Sequence, residues 1–195
     1  MAKVNNYRLI QENSPTIGED LSKMRFGEHN ALIYDDISSL REIYCLHSKK
    51  RLHLRNNTVI ILYHYETKRS IRDALKEFDI DVNQHEADTS LIIRDADEIV
   101  LRTTLDSFLQ YLKTLERLAT KYGKNGIDVI VDMGSFWHIG KEQELIECEN
   151  RLNFICRASK CSILCCYHSK DVKALGANRI EEIHTSHLKN YIVKE

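Results

Sequence analysis

Apolar positions along the chain switch repeatedly between two periods. Ala31-Leu32-Ile33-Tyr34 is a short apolar run, and after Asp35-Asp36 the residues Ile37, Leu40, Ile43 and Leu46 recur every third position, which predicts a strand and then a helix. Thr58-Val59-Ile60-Ile61-Leu62-Tyr63 is continuously apolar and rich in β-branched residues, as expected of a strand covered on both faces, and Ile71, Ala74, Leu75 and Phe78 follow at helical spacing. Residues 82–100 have no clear period, although Leu91-Ile92-Ile93 predicts a strand at an edge or in a hairpin. Leu105, Phe108, Leu109, Leu112, Leu115, Leu118 and Tyr122 form one helical stripe, with Thr103 and Asp106 placed as a capping box and Gly123 as the stop. Ile127–Asp132 predicts another buried strand. A helix from Lys141 to Ser159 follows, with Leu145, Cys148, Leu152 and Ile155 inward, then a strand over Ser162–Tyr167 and a helical turn over Ser169–Leu175. This alternation predicts an α/β fold, a three-layer sandwich with a mostly parallel central sheet. Residues 1–28 are polar, carry Pro15, Gly18 and Gly27 and show no sustained period, so they are expected to be an extension that packs late or stays mobile, with the domain spanning 29–195.

Composition narrows the function. A chain of 195 residues predicts one domain. The balance of 28 Lys+Arg against 29 Asp+Glu argues against a dedicated nucleic-acid binder, which needs excess cations to neutralise phosphates. One local basic patch stands out, Lys49-Lys50-Arg51-x-His53-x-Arg55, but it falls at a helix end, where cations favour the dipole without any partner. No run approaches the roughly 18–20 apolar residues of a membrane helix. The start, MAKVNNYRLIQENS, lacks the apolar core of a secretory signal, so a cytoplasmic location is expected. Cys45, Cys148, Cys156, Cys161, Cys165 and Cys166 are therefore expected as thiols behaving as small hydrophobes.

In a parallel sheet, ligands bind beyond the carboxyl ends of the strands. Those ends offer Tyr34 with Asp35, Tyr63 with His64 and Glu66, Asp132 with Met133, and Cys166 with Tyr167 and His168. Recurrent tyrosines suit a pocket for a small, partly apolar molecule; equally, rim tyrosines often only pack their rings. Gly134 to Lys141 resembles a phosphate-binding P-loop but fails: five residues separate the glycines instead of four, and Glu142 stands where Ser or Thr should reach a metal. In that loop Trp137 and His138 either close over a ligand or plug the sheet end. Cys165, Cys166, His138, His168, His184, His187 and Cys148 supply thiols and imidazoles, yet no CxxC or HxxxH spacing occurs, and Cys165 and Cys166 point to opposite faces of one strand. His184-x-x-His187 offers two ligands if helical. No metal site, cofactor or nucleophile elbow is expected, and hence no enzymatic activity.

Taken in order, His29-Asn30-Ala31-Leu32-Ile33-Tyr34-Asp35-Asp36, Val59–Tyr63, Ile127–Asp132, Glu149-Asn150-Arg151-Leu152-Asn153, Leu164–Tyr167 and the terminal His184-x-x-His187 resemble the MEDS domain, the sensory domain named from methanogens and methylotrophs. The resemblance implies a RecA/KaiC-like fold that has lost its nucleotide machinery. Asp35-Asp36-Ile37-Ser38-Ser39 would stand where a P-loop belongs, and Asp132 at the end of the strand that would carry a Walker B acid. Such domains are held to sense small molecules, with hydrocarbon derivatives proposed as ligands, and often adjoin DNA-binding or histidine-kinase modules. The expectation is a non-catalytic sensor for a small organic ligand, a hydrocarbon or C1 derivative. Tyr34, Tyr63, His64, Asp132, Trp137, His138 and Tyr167 are expected at the ligand, supported by His29, Glu66, Glu149 and Cys166. With the domain filling the chain, output is expected through a separate protein partner or self-association, without direct nucleic-acid or membrane contact. The alternatives are a degenerate RecA-like assembly module and a thiol- or metal-responsive sensor acting through Cys166.

Overall fold

The structure, a computed structural model, describes residues 7–54, 56–101, 104–138 and 140–194. In chain order the first half runs β1 (Arg8–Glu12), α1 (Ser14–Leu21), β2 (His29–Tyr34), α2 (Ile37–Leu54), β3 (Thr58–Tyr63), α3 (Lys68–Glu77), α4 (Val82–Ala87) and β4 (Leu91–Asp95). The second half runs α5 (Ala96–Leu101), α6 (Leu105–Lys121), β5 (Ile127–Asp132), α7 (Gly134–His138), α8 (Glu142–Arg157), β6 (Cys161–His168), α9 (Ser169–Ala174), α10 (Ala177–Ser186) and β7 (Lys189–Val193). The seven strands form one sheet in the order β1-β7-β2-β6-β5-β3-β4. Every pairing is parallel. α1–α4 cover one face and α5–α10 the other, giving two apolar cores separated by the sheet. The α/β three-layer expectation therefore holds, with a sheet that is wholly parallel.

Three local readings change. Residues 1–28 were expected as an extension, but from Arg8 onward they are built into the fold: β1 pairs with β7, and Ile17, Leu21 and Met24 are buried. Asn13 caps α1 by accepting the Thr16 N–H at 3.0 Å, with Pro15 in the first turn. Gly18 lets α1 lie on α2, because a Cβ there would come within 2.9 Å of Leu46. On α6, Leu118 and Tyr122 are exposed and Ala119 is buried, since the stripe that starts at Phe108 and Leu112 returns at 119 after one full turn from 115. Of the expected capping box, Thr103 lies outside the described residues; Thr104 is the cap and accepts the Ser107 N–H at 3.3 Å. The unclear segment resolves into α4 and edge strand β4.

One member of the basic patch, Arg51, turns inward. Arg51 is only 1% exposed. It donates to the Met24 carbonyl at 2.6 Å and to Asp128, which also accepts from Ser162 Oγ and, at 2.5 Å, from Asn57 Nδ2. Lys49 and Lys50 pair with Asp79 and Glu19, and Arg55 lies outside the described residues. This knot ties α2 to β5, β6 and the start of β3. Replacing Arg51 with Leu leaves the Asp128 carboxylate buried and unpaired, so urea unfolding should show a loss of about 3–5 kcal/mol, whereas a loss below about 1 kcal/mol would show that Asp128 finds other neutralisation.

Candidate functional site

β2 and β6 are neighbours, yet the connection leaving β2 runs through α2 in one helix layer while that leaving β6 runs through α9 and α10 in the other. The chain paths diverge at this point, where parallel sheets have their ligand crevice, and here that strand-end crevice is closed by Tyr34 and His168, paired in register with their rings in contact. Asp132, at the end of β5, forms its floor and is 5% exposed. Its Oδ2 accepts the Tyr34 hydroxyl at 3.2 Å and the Tyr65 N–H at 3.3 Å, and its Oδ1 accepts the Gly134 N–H at 3.0 Å. No cation contacts it among the described side-chain ion pairs. Burial raises its carboxyl above the ordinary value, against the pull of the Gly134 and Tyr65 N–H groups. Because the folded pKa exceeds the unfolded one, the stabilisation from this group is present at low pH and is lost as pH rises through the folded value.

Aromatic rings cover the crevice. Tyr34 and His168 meet edge to face with centroids 5.2 Å apart, Tyr65 reaches His168 at 5.5 Å and His64 at 4.5 Å, and His64 reaches His138 at 5.5 Å. His64 Nδ1 lies 2.7 Å from Asp97 Oδ1, and the Tyr65 hydroxyl donates to Asp171 at 2.7 Å, so α5 and α9 hold the two outer rings. Beneath, a cleft of about 20 Å³, room for one water-sized molecule, runs between the sheet and α2 and is lined by Leu40, Tyr44, Ile61, Tyr63, Asp132 and Cys166. Glu66 closes its rim as a brace: Arg41 Nε donates to it at 2.8 Å, Ser70 Oγ at 3.0 Å and Tyr44 at 3.1 Å.

The two turns that could have taken phosphate are occupied by carboxylates. After β2, Asp36 accepts the Ser39 N–H at 2.9 Å and the Ser39 hydroxyl at 2.7 Å, capping α2, and Asp35 accepts from Ser169. After β5, the Gly134 amide is taken by Asp132. Gly134 serves the aromatic cover instead: a Cβ there would lie 2.6 Å from His64 and 2.7 Å from Tyr65.

Strand alternation sends several expected site residues elsewhere. Tyr34, His64, Asp132 and His138 meet at the crevice, and Tyr63 and Cys166 line the cleft under it. Tyr167 does not line the crevice; one residue past Cys166, it faces the opposite core, where Trp137 packs against it edge to face at 6.1 Å. His29 and Glu149 lie in that same core. The Tyr167 hydroxyl donates to Glu149 Oε1, and Glu149 Oε2 stands 3.1 Å from His29 Nε2 and 3.0 Å from His187 Nε2. Cys165 Sγ lies 3.3 Å from His29 Nε2. Burial opposes ionisation of Glu149, but His187 and His29 outweigh it and hold the carboxyl well below its usual range. Burial and His187 together lower the His29 imidazole. His184, the other member of the expected pair, instead stacks on Tyr7 at 5.5 Å.

Sequence reasoning passed over Tyr65 and Asp97 at the crevice and joined neither Cys165 nor His187 to Glu149. Tyr65 follows the strand as a loop residue with no period to mark it; the buried four come from distant parts of the chain. As for thiol sensing, burial, then Asp132, pushes the Cys166 thiol well up, the reverse of a reactive cysteine.

The all-parallel seven-stranded sheet with helices on both faces is an α/β architecture of the RecA/KaiC-like kind. The crystal structure of a KaiC-like protein from the hyperthermophilic archaeon Pyrococcus horikoshii OT3 is similar, with a TM-score of 0.57 at 14% identity over 73% of this chain; this chain spans 61% of that one. Residues 28–187 match the family described as MEDS, MEthanogen/methylotroph, DcmR Sensory domain, and the chain belongs to that family. No curated protein is a significant match. Among the described residues no helix is long and apolar enough to cross a membrane.

The close packing at Gly134 is directly testable. Gly134→Ala should force His64 and Tyr65 off the start of α7 and lower stability by about 1–3 kcal/mol in urea unfolding. An unchanged midpoint would mean that the rings are not seated there.

Proposed function

We propose that this sensory domain is non-catalytic and binds a small organic molecule at the crevice over Asp132, reporting occupancy to a separate protein or to a second copy of itself. The observation that carries this reading is Asp132 itself: a buried carboxylate where the connections of β2 and β6 part, with no ion-pair partner among the described residues, beneath aromatic rings and beside an apolar cleft. A carboxyl in that setting suits a ligand with one hydrogen-bond donor and a small apolar body. The cleft volume suits a molecule of very few heavy atoms unless Tyr65, 42% exposed, swings outward. Ligand entry would then disturb the Tyr65–Asp171 and His64–Asp97 contacts, a route by which occupancy reaches α9 and α5. The capped turn after β2 argues against a nucleotide, because Asp36 already holds the helix amide that a phosphate would need. On the far layer, Phe154 is 77% exposed beside an open groove of about 330 Å³ flanked by Lys113 and Arg117, a surface suited to a partner protein.

Calorimetric titration with methanol, methylamine and short-chain alcohols, and in parallel with ATP and Mg²⁺, tests the reading. Saturable binding of a one-donor probe is expected, weakened about tenfold or more, or about 1.4 kcal/mol, in Asp132→Asn and Tyr34→Phe. Tight binding and hydrolysis of ATP, or probe binding indifferent to both substitutions, would contradict it.

A further inference from the structure

His29, Glu149, Cys165 and His187 come from the start of β2, the middle of α8, the middle of β6 and the residue after α10. All four are buried, and their ligating atoms lie within 4.8 Å of one another. The Glu149–His29, Glu149–His187 and Cys165–His29 separations of 3.1, 3.0 and 3.3 Å are close to the edges of a tetrahedron around an ion. With metal–ligand bonds of about 2.0–2.3 Å, such edges measure about 3.3–3.8 Å.

Hydrogen bonding leaves this cluster unresolved. His187 Nδ1 lies 2.7 Å from the Ile183 carbonyl and must donate to it, so in the neutral ring Nε2 carries a lone pair. That lone pair faces Glu149 Oε2 at 3.0 Å, and neither atom has a hydrogen-bond partner although both are sealed from water. Two unsatisfied acceptors in contact are costly in a buried core. A positive charge there removes the conflict: a second proton on His187 satisfies that one contact, whereas a metal ion satisfies it together with the His29 and Cys165 atoms beside it. A divalent ion with one thiolate and one carboxylate also makes the site neutral, which burial favours. The outer contacts match those of a metal centre: the Ile183 carbonyl fixes the tautomer of His187, and Tyr167 donates to the other oxygen of Glu149.

We propose that His29, Glu149, Cys165 and His187 bind one divalent transition-metal ion of the zinc class in a closed, four-ligand structural site. One sulfur, two nitrogens and one oxygen suit zinc, and a full set of protein ligands leaves no open position for substrate. The ion pins the turn between α10 and β7 to β2, β6 and α8, on the face away from the crevice, so the proposal does not rest on the ligand reading above. With every ligand buried, the metal enters as the chain folds, and Cys165 gives up its thiol proton on binding.

The full chain, unfolded in chelator and refolded with one equivalent of Co²⁺ or Zn²⁺, provides the test. One metal per chain is expected by mass spectrometry, with a thiolate-to-cobalt charge-transfer band, intense tetrahedral visible bands, and a Tm above that of chelated protein. Cys165→Ser should lose the charge-transfer band, while Cys166→Ser, on the other face, keeps it. Should Cys165→Ser fail to fold, retention of the band in each single Ser variant of the other cysteines still assigns the thiolate to Cys165. Refolded wild-type protein that takes up no stoichiometric metal, or a band that survives in Cys165→Ser, would overturn the proposal.

Discussion

β5 lies inside a sheet with helices on both faces, so its two carboxylates, Asp128 and Asp132, are buried almost wholly away from bulk water and each must be satisfied mainly by the protein. They sit four residues apart on one face and are answered in opposite ways. Asp128, at the amino end, receives the guanidinium of Arg51 together with Asn57 and Ser162. Asp132, at the carboxyl end, receives only neutral donors. The first is a closed ion pair that locks α2 to the sheet. The second is a carboxyl held against its preference for water, at the place where the chain paths diverge and where sheets of this kind bind their ligands.

The same two-residue period separates two chemistries that adjoin in sequence. Cys165 and Tyr167 turn to the α5–α10 layer and Cys166 to the α1–α4 layer. One face of β6 therefore meets the dry cluster around Glu149, while the other lines the cleft under Asp132. The first suits a fixed centre that holds elements together; the second, roofed by partly exposed rings on loops, suits a part that moves. A sensory domain needs both, a rigid frame and a low-stability region whose arrangement a small molecule can bias.

Much of this was legible in the sequence because buried parallel strands are continuous apolar runs: β2, β3, β5 and β6 all showed themselves that way. β1 did not, since Arg8–Glu12 is an edge strand exposed along most of its length and carries no apolar period. Arg51 looked like one of several cations favouring a helix end, because charge runs carry no mark of which member turns inward. At the crevice, Tyr34, His64 and Asp132 could be found from the strand-end rule alone. The Glu149 cluster could not, because spacing rules recognise metal ligands wrapped by one short loop, whereas these four are assembled by the sheet register and by helix packing.

The distinction between the two β5 carboxylates is the claim on which the sensory reading turns. Side-chain carboxyl ¹³C NMR across a pH titration, with Asp132→Asn to assign the resonance, measures it directly. The account predicts that Asp132 takes up its proton above the ordinary aspartate value of about 3.9 and that its resonance moves when a one-donor probe binds. An Asp132 that titrates at or below that value and ignores the probe would contradict it.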